Sequence, residues 1–383
     1  MTDRVPLSVL DLSPFGAGQT PADGLRASIA LARRAEQLGY VRYWLAEHHL
    51  NPGIAGAAPH VLLASIADAT DHIRVGTAAT IIGNSSALQV VEAAGVISAL
   101  HPRRFDLGIG RSGSTGSARK HGFPARHTDK IVDGLLLPTT RPFAFDSDRF
   151  TAQSRLLRRT AGDADRFEDD VTDILDLIAG TYAAPERVPI HATPAEGQDI
   201  EVWIHGSTAG PSAELAGRHG LPFGANYHVA SAFVVDAVDA YRRAFRPGIR
   251  SEPYVIVSAD VVVADTDAHA RRLAAGYAHW VHSIRAGDGA IPFPRPEEAL
   301  ARPLSGDALE VVADRLATRF VGSADTVAEQ LDTLRRVTGA DELLITTITH
   351  DPADRERSYE LLAQVWGLDA NTPLPAAREA VRA

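Results

Sequence analysis

Short apolar runs alternate with helically spaced stretches along the first 110 residues of the chain. The runs are rich in β-branched residues, which is typical of strands buried on both faces. Between the runs, apolar residues recur every three or four positions. In Ala22–Leu38 this spacing stops at Gly39, a residue that favours a helix end. The alternation predicts a parallel sheet covered by helices.

The same alternation continues to about residue 366 and includes eight strands, which favours a closed (β/α)8 TIM barrel over an open sheet. The predicted strands are Pro6–Ser13, Val41–Ala46, Ile73–Ile82, Arg104–Ile109, Glu201–His205, Leu221–Ala225, Tyr254–Ala264 and Glu342–Ile348. The predicted helices are Ala22–Leu38, Pro59–Thr70, Ala87–Leu100, Ala164–Thr181, Ala209–His219, Ser231–Phe245, Ala268–Val281, Ala324–Val337 and one that ends near Trp366.

Two irregular segments punctuated by glycine and proline interrupt the pattern. They are residues 112–162 after the fourth strand and 283–303 after the seventh, and we interpret both as insertions above the barrel. A chain of 383 residues exceeds the roughly 250 of a typical TIM barrel, and two insertions account for the excess. We expect one domain over residues 1–366 and a tail over 367–383.

Composition narrows the class of protein. The formal net charge of −10 argues against a general nucleic-acid or membrane-surface role. The absence of cysteine excludes disulfides, thiolate metal sites and cysteine nucleophiles. No apolar stretch approaches the ~20 residues needed to span a bilayer, and the N-terminus lacks a signal-peptide pattern. We therefore expect a soluble, cytoplasmic protein that binds neither nucleic acid nor membranes.

The second predicted strand ends in Glu47, His48 and His49. Residues at such strand ends of a barrel face the catalytic site, and histidine exchanges protons near neutral pH. Adjacent side chains in an extended segment point in opposite directions, so one histidine could act as acid or base while the other supports it. Two alternatives stay open. One is a capping acid with two packed histidines, and the other is a metal site of His48, His205 and His228.

Two further strand ends carry anion-binding chemistry. The fourth strand leads through glycines to Arg111, whose guanidinium matches a phosphate group, although a solvated arginine is a common alternative. After the fifth strand, Gly206, Ser207 and Thr208 precede a predicted helix whose free N–H groups can bind an anion. Simple capping of that helix by Ser207 or Thr208 is the alternative.

Five motifs in order resemble those of the bacterial-luciferase-like flavin monooxygenases, over most of residues 5–366. They are WLAEHH at the second strand end, VGTAATIIGNSS at the third, ALHPRRFDLGIGRSG at the fourth, a Gly-Ser turn after the fifth, and RFVGSADTVA from Arg319 onward. The last is similar to the family's F-x-G-S/T-P-E-x-V run, with Ala324 in place of the usual proline.

The resemblance implies that FMN binds at the C-terminal face of the barrel. It implies that His48 lies beside the flavin and handles protons during oxygen chemistry. Next to a His48 in this role, Glu47 could orient a neighbouring group or tune its charge; a solvated or salt-bridged acid is the alternative. The residues that would hold the flavin phosphate are Arg111, Gly206, Ser207 and Thr208. The loop over residues 206–212 is one residue longer than the common family version.

The third strand end carries the remaining implied contacts. Ala78 and Ala79 match a position where family members often have a non-proline cis peptide bond. Asn84 follows the same strand, where relatives contact the flavin ring or its tail.

The activity that the resemblance implies is that of a monooxygenase. Reduced FMN would react with O2 to give a flavin peroxide, which oxidises a small organic substrate. It also implies a homodimer. No second nucleotide-binding motif for NAD(P)H is visible, so we expect a separate flavin reductase; direct oxidation of a nicotinamide, as in some relatives, is the alternative. Two alternatives remain: hydride transfer with the deazaflavin F420 on the same barrel, and a non-catalytic flavin-binding partner subunit. The Glu-His-His run favours FMN.

Overall fold

The computed structural model describes residues 4–111, 128–140, 147–160 and 166–370. Eight parallel strands form a closed barrel, which confirms the predicted TIM-barrel fold. In spatial order these are β1 (Leu7–Asp11), β2 (Arg42–Leu45), β3 (Arg74–Thr77), β5 (Phe105–Arg111), β8 (Ile200–Gly206), β9 (Phe223–Asn226), β10 (Val255–Val263) and β12 (Glu342–Thr346). Closure follows because β9 pairs with β10, β10 with β12, and β12 with β1.

Helices surround the barrel, and short strands supplement it. The short strands are β4 (Thr80–Ile82), β6 (Lys130–Val132), β7 (Leu135–Leu137) and β11 (Phe320–Gly322). The helices are α1 (Pro21–Gln37), α2 (Pro59–Asp68), α3 (Ala87–Leu100), α4 (Asp148–Leu156), α5 (Phe167–Ala179), α6 (Pro211–Arg218), α7 (Tyr227–Ala230), α8 (Val234–Ala244), α9 (Asp267–Leu273), α10 (Tyr277–Arg285), α11 (Pro296–Ala301), α12 (Gly306–Ala317), α13 (Ala324–Thr338) and α14 (Pro352–Trp366). None of these described helices is long and apolar enough to cross a bilayer.

Local sequence signals explain the element boundaries. Thr20 caps α1 in a reciprocal capping box with Asp23, which satisfies free N–H groups of the first turn. The same helix is followed by Gly39 at a φ of 87°, as its sequence predicts. All nine residues of β10 are buried because helices cover its outer face and the barrel interior its inner face.

A cluster of buried charges closes the N-terminal end of the barrel. The Arg42 guanidinium lies 2.8 Å from a carboxylate oxygen of both Asp106 and Glu201, and 3.2 Å from one of Glu342. Arg74 also pairs with Asp106, and Arg250 pairs with Glu201 at 2.9 Å. Three arginines therefore face three carboxylates, so the ion cluster is neutral overall and its charges are paired.

The structure corrects the predicted elements at several points. The predicted strand Ile73–Ile82 is broken into β3 and β4 around a cis peptide bond between Ala78 and Ala79. The apolar run is continuous through this bend, so periodicity alone does not reveal it. The predicted helix Ala268–Val281 is two helices, α9 and α10, separated by a 3-10 turn. The predicted helix Ala209–His219 begins only at Pro211.

The insertions contain regular structure that the sequence pattern does not predict. The first carries the antiparallel pair β6 and β7 and the helix α4; residues 112–127, 141–146 and 161–162 lie outside the described residues. The second contains the end of α10 and α11, and α12 follows it. These helices are short and interrupted by glycine and proline, which obscures their periodicity. Residues 371–383 of the predicted tail lie outside the described residues.

Candidate active site

Two connected cavities lie at the C-terminal ends of the barrel strands. The larger has a volume of about 480 Å³ and is bounded by strand ends, α4, α10 and α12. The smaller, of about 450 Å³, lies between the end of β5 and the start of α6. The residues that line both are Ala78, Ala79, Ile81, His205, Ser207 and Asn226. The two cavities therefore adjoin one another and together span a path across the mouth of the barrel.

His48 lines the larger cavity just beyond the end of β2. Its Nδ1 atom is buried and has no hydrogen-bond partner within the described residues. Burial lowers the pKa of His48 to about 4, against the opposing attraction of the Glu47 carboxylate. The imidazole is therefore neutral at pH 7, whereas the predicted ready exchange of protons requires a pKa near the working pH. Its free Nδ1 is available for a hydrogen bond to a bound group.

Glu47 connects three segments around the larger cavity. Its Oε1 lies 2.7 Å from Nε2 of His49 and accepts a hydrogen bond from the Asn84 amide. Its Oε2 accepts from the backbone N–H of Ile81 at 3.0 Å. Burial opposes ionisation of Glu47, but the hydrogen bonds more than compensate and hold its pKa below the ordinary value. Glu47 is therefore a carboxylate that positions its neighbours.

The residues at the end of the third barrel strand and just beyond it line the cavities. Ala78 and Ala79 line both cavities, and the peptide bond between them is cis, as the resemblance implies. Asn84 lines the larger cavity. Its Oδ1 accepts a hydrogen bond from Nε of Arg159 at 2.6 Å, while its amide nitrogen donates to Glu47. Asn84 thus joins the second strand end to the first insertion.

The smaller cavity collects the predicted anion-binding residues. Arg111, Gly206, Ser207 and Thr208 all line it, together with the first residues of α6. Gly210 occupies the cap position of α6, and no side chain caps that helix. The capping alternative for Ser207 and Thr208 is therefore wrong. Instead, the Ser207 hydroxyl accepts a hydrogen bond from the Asn226 amide at 3.0 Å.

His205 lines both cavities, and glycines flank its ring on both sides. A Cβ atom added at Gly108 would lie 2.7 Å from its Nε2, and one added at Gly224 would lie 2.3 Å from its Nδ1. Only glycine at both positions leaves room for the ring. Burial lowers the pKa of His205 to about 4, and its Nε2 has no partner among the described residues. Sequence reasoning assigned His205 only to the metal alternative.

His228, at the far side of the larger cavity, completes the set of histidines. Its Nδ1 lies 2.6 Å from the Ser258 hydroxyl, and burial lowers its pKa to about 3, with Arg315 acting in the same direction. No three His, Asp or Glu side chains in the described ranges are grouped closely enough to hold a metal ion. The three-histidine metal site therefore lacks geometric support in that part of the chain.

A group of charged residues that sequence reasoning missed lies at the same end of the larger cavity. Asp260 and Arg315 line it, and Arg319 pairs with Asp260 at 2.9 Å. The Arg315 guanidinium donates to the Tyr277 hydroxyl at 2.6 Å. Burial disfavours the charge on Arg315, but Tyr277 and Asp260 more than offset it, so its pKa is raised and it stays charged. The sequence pattern does not indicate Arg315 as a site residue because it does not predict α12, the helix that carries it.

A comparison with protein families shows to which family this chain belongs. A model of the luciferase-like monooxygenases matches residues 5–342. The chain belongs to the luciferase-like monooxygenase family. A luciferase-like monooxygenase from Escherichia coli strain K12 is 32% identical over 367 residues, which cover 95% of this chain and 98% of that protein.

Solved structures extend the comparison for this member of the luciferase-like family. That of apo-MsnO8 matches with a TM-score of 0.77 and 31% identity, covering 96% of this chain and 98% of the other. Two more distant structures share the fold. The FMN complex of the oxygenating constituent of 3,6-diketocamphane monooxygenase from Pseudomonas putida has a TM-score of 0.65 at 20% identity, covering 97% of this chain and all of that one. An F420-dependent secondary alcohol dehydrogenase has a TM-score of 0.60 at 12% identity, covering 94% of this chain and 98% of that one.

Proposed function

We propose that the protein uses reduced FMN and O2 to oxidise a small organic substrate. The observation that carries this proposal is the position of Ser207, which lines both cavities, between His48 in the larger and Arg111 in the smaller. A ligand with a flat ring and an anionic tail fits such a path. FMN has this form, and the related 3,6-diketocamphane monooxygenase was solved with FMN.

The smaller cavity has the donors that a phosphate needs. Arg111, Ser207, Thr208 and the uncapped start of α6 all line it. Arginine and backbone N–H groups at a helix start both favour a dianion. We propose that Arg111, Gly206, Ser207 and Thr208 hold the FMN phosphate.

The larger cavity suits the ring and the substrate. Reduced FMN, when bound, supplies the electrons for oxygen activation, while the protein binds, orients and excludes water. Ala78 and Ala79, which a cis peptide bond joins, line this cavity together with Asn84. We propose that Ala78, Ala79 and Asn84 contact the flavin.

His48 is the proposed catalytic residue. Its neutral imidazole leaves Nδ1 without a partner among the described residues, so this atom can hold or pass one proton at the ring. Glu47 does not compete for the role, because its carboxylate already serves His49, Asn84 and Ile81. We assign Glu47 as a positioning residue.

Helix α4 of the first insertion covers the larger cavity. Arg149 donates to the Gly287 carbonyl at 2.9 Å and to the Leu50 carbonyl at 3.1 Å, which ties both insertions to the loop after β2. Phe150 and Gln153 of the same helix line the cavity. Such a cover excludes water from the reacting groups.

Two partners belong to the proposal. We infer that a separate flavin reductase supplies reduced FMN. We also infer a homodimer, because the adjacent helices α2 and α3 expose large apolar side chains to solvent. These are Val61, Leu88, Val96 and Leu100, with exposed fractions between 45% and 73%. Sedimentation velocity of the wild type against Leu100→Glu tests the dimer.

The central experiment titrates the purified protein with FMN, riboflavin and F420 while visible absorbance is followed. We expect tight binding of FMN, weaker binding of riboflavin and no binding of F420. Reduced FMN, 18O2 and a panel of aldehydes, ketones and hydrocarbons should then yield a product that carries the isotope. Preferential F420 binding with hydride transfer would replace the proposal, and FMN binding without any turnover would favour a non-catalytic partner subunit.

A further inference from the structure

The larger cavity carries one positive charge in excess at the end formed by α10 and α12. Arg285 pairs with Asp314, with nitrogen-to-oxygen distances of 2.5 and 2.8 Å. Arg319 pairs with Asp260 at 2.9 Å. Both nearby carboxylates therefore already have an arginine partner.

Arg315 is the arginine left over. Within the described ranges it forms no ion pair with a carboxylate, and its Nε is buried without a hydrogen-bond partner. Its one described side-chain hydrogen bond goes to the neutral Tyr277 hydroxyl. Asp260 and Asp314 act on it only at longer range. The described residues therefore keep Arg315 charged but place no carboxylate in direct contact with it.

The other groups at this end cannot neutralise Arg315. His228 is adjacent and neutral, with its Nδ1 engaged by the Ser258 hydroxyl. The cavity wall also includes apolar side chains, namely Trp280 and Ile284 of α10 and Ile348 beyond β12. The arrangement is a charged contact at one end of an apolar chamber. A planar guanidinium in such a chamber matches a carboxylate, to which it can donate two parallel hydrogen bonds.

We propose that the substrate of this cavity is an apolar molecule with one carboxylate, which docks on Arg315. The excess of one positive charge favours a monoanion, because a dianion would leave a negative charge uncompensated beside Asp260. The inference deepens the proposed function and rests on it for the reaction, but not for the binding contact. Arg315 is accordingly a specificity-determining residue at the opposite side of the site from Arg111.

The test measures binding in flavin-free protein with three probes of one chain length: hexanoate, hexanamide and hexylamine. Trp280 lies in the cavity wall, so its fluorescence reports occupancy, and calorimetry gives the affinity. We expect hexanoate to bind at least tenfold more tightly than hexanamide, and hexylamine to bind most weakly. Equal affinities for hexanoate and hexanamide would overturn the proposal.

Variants test whether Arg315 causes the preference for hexanoate over hexanamide. Arg315→Gln should abolish the discrimination between hexanoate and hexanamide, and Arg315→Lys should retain part of it. The matched control is Arg243→Gln on the exposed side of α8, which should behave as wild type. A preference that survives in Arg315→Gln would contradict the assignment. So would a loss of affinity for reduced FMN in this variant while its carboxylate preference is unchanged.

FMN titration of the same variants separates this proposal from the proposed function. Arg315→Gln should still bind oxidised FMN within threefold of wild type, which also shows that it folds. Loss of the carboxylate preference with FMN binding intact supports the docking role. Failure of the wild type to bind FMN, together with an intact carboxylate preference, would overturn the flavin proposal and leave the present one standing.

Discussion

The Glu47 carboxylate accepts a hydrogen bond from the backbone N–H of Ile81, with 3.0 Å between Oε2 and the nitrogen. This bond joins the end of β2 to the first residues after the cis peptide bond. The second carboxylate oxygen contacts His49 and Asn84. One acid therefore fixes the shape of the wall against which the proposed flavin ring would lie.

Replacing Glu47 with Gln should loosen this wall. The amide cannot accept all three hydrogen bonds, and the charge that strengthens them is lost. We expect a decrease of about 1–3 kcal/mol in the free energy of unfolding and roughly tenfold weaker FMN binding. Urea unfolding and FMN titration measure the two effects. Glu92→Gln, at an exposed position of α3, is the matched control and should change neither quantity.

Arg111→Gln should weaken binding of FMN without affecting riboflavin. The side chain lines the smaller cavity, where only a phosphate-bearing ligand would need it. We expect FMN affinity to fall by roughly tenfold to a hundredfold, the range for a lost charged hydrogen bond. Parallel titrations with the two flavins report the difference. Equal losses for both ligands would show that Arg111 acts on the fold and not on the phosphate.

His48→Asn should separate catalysis from binding. The amide keeps a polar group at the cavity wall but cannot take up a proton. We expect FMN affinity within threefold of wild type and product formation reduced by about 10²–10⁴-fold. Oxygen consumption and product yield, measured together, show whether reduced FMN is oxidised without substrate turnover. Unchanged turnover would refute the proton role.

Stability should fall as the pH drops from about 6.5 toward 4. Burial depresses the pKa of His48 and His205 to about 4, so across this interval the unfolded chain binds protons that the folded protein does not. The free energy of unfolding therefore decreases on acidification, by about 2 kcal/mol for each histidine at pH 5. Urea unfolding at pH 7, 6 and 5 measures the slope. His205→Asn should make it shallower; an unchanged slope would contradict the assignment.

Arg42→Ala should be strongly destabilising. Its guanidinium contacts Asp106, Glu201 and Glu342 at the N-terminal end of the barrel, and its removal leaves three buried carboxylates with two arginines. We expect a loss of about 3–5 kcal/mol in the free energy of unfolding. Arg26→Ala removes a side chain that is 76% exposed, and should cost less than about 0.5 kcal/mol. Chemical denaturation of both variants provides the comparison.

The barrel was predictable because its signals are local. The strands are short apolar runs, and the first helix has its own period and end signals, at Thr20 and Gly39, so no long-range contact is needed to recognise them. No element is predicted over residues 304–323, so the prediction lacks α12 and, with it, Arg315. This helix has no side-chain cap, and Val312 is its one buried residue.

The strand-end rule also predicted which residues approach one another. Parallel strands of a barrel end at the same face, so His48, Arg111 and Ser207 had to lie at one mouth. What the sequence by itself determined was therefore the barrel and this set of candidate residues. Tertiary structure decided their chemical state, because burial and partners depend on residues far apart in the chain. Burial keeps His48 neutral, and three hydrogen bonds keep Glu47 ionised. Arg315 has no counter-ion in direct contact among the described residues.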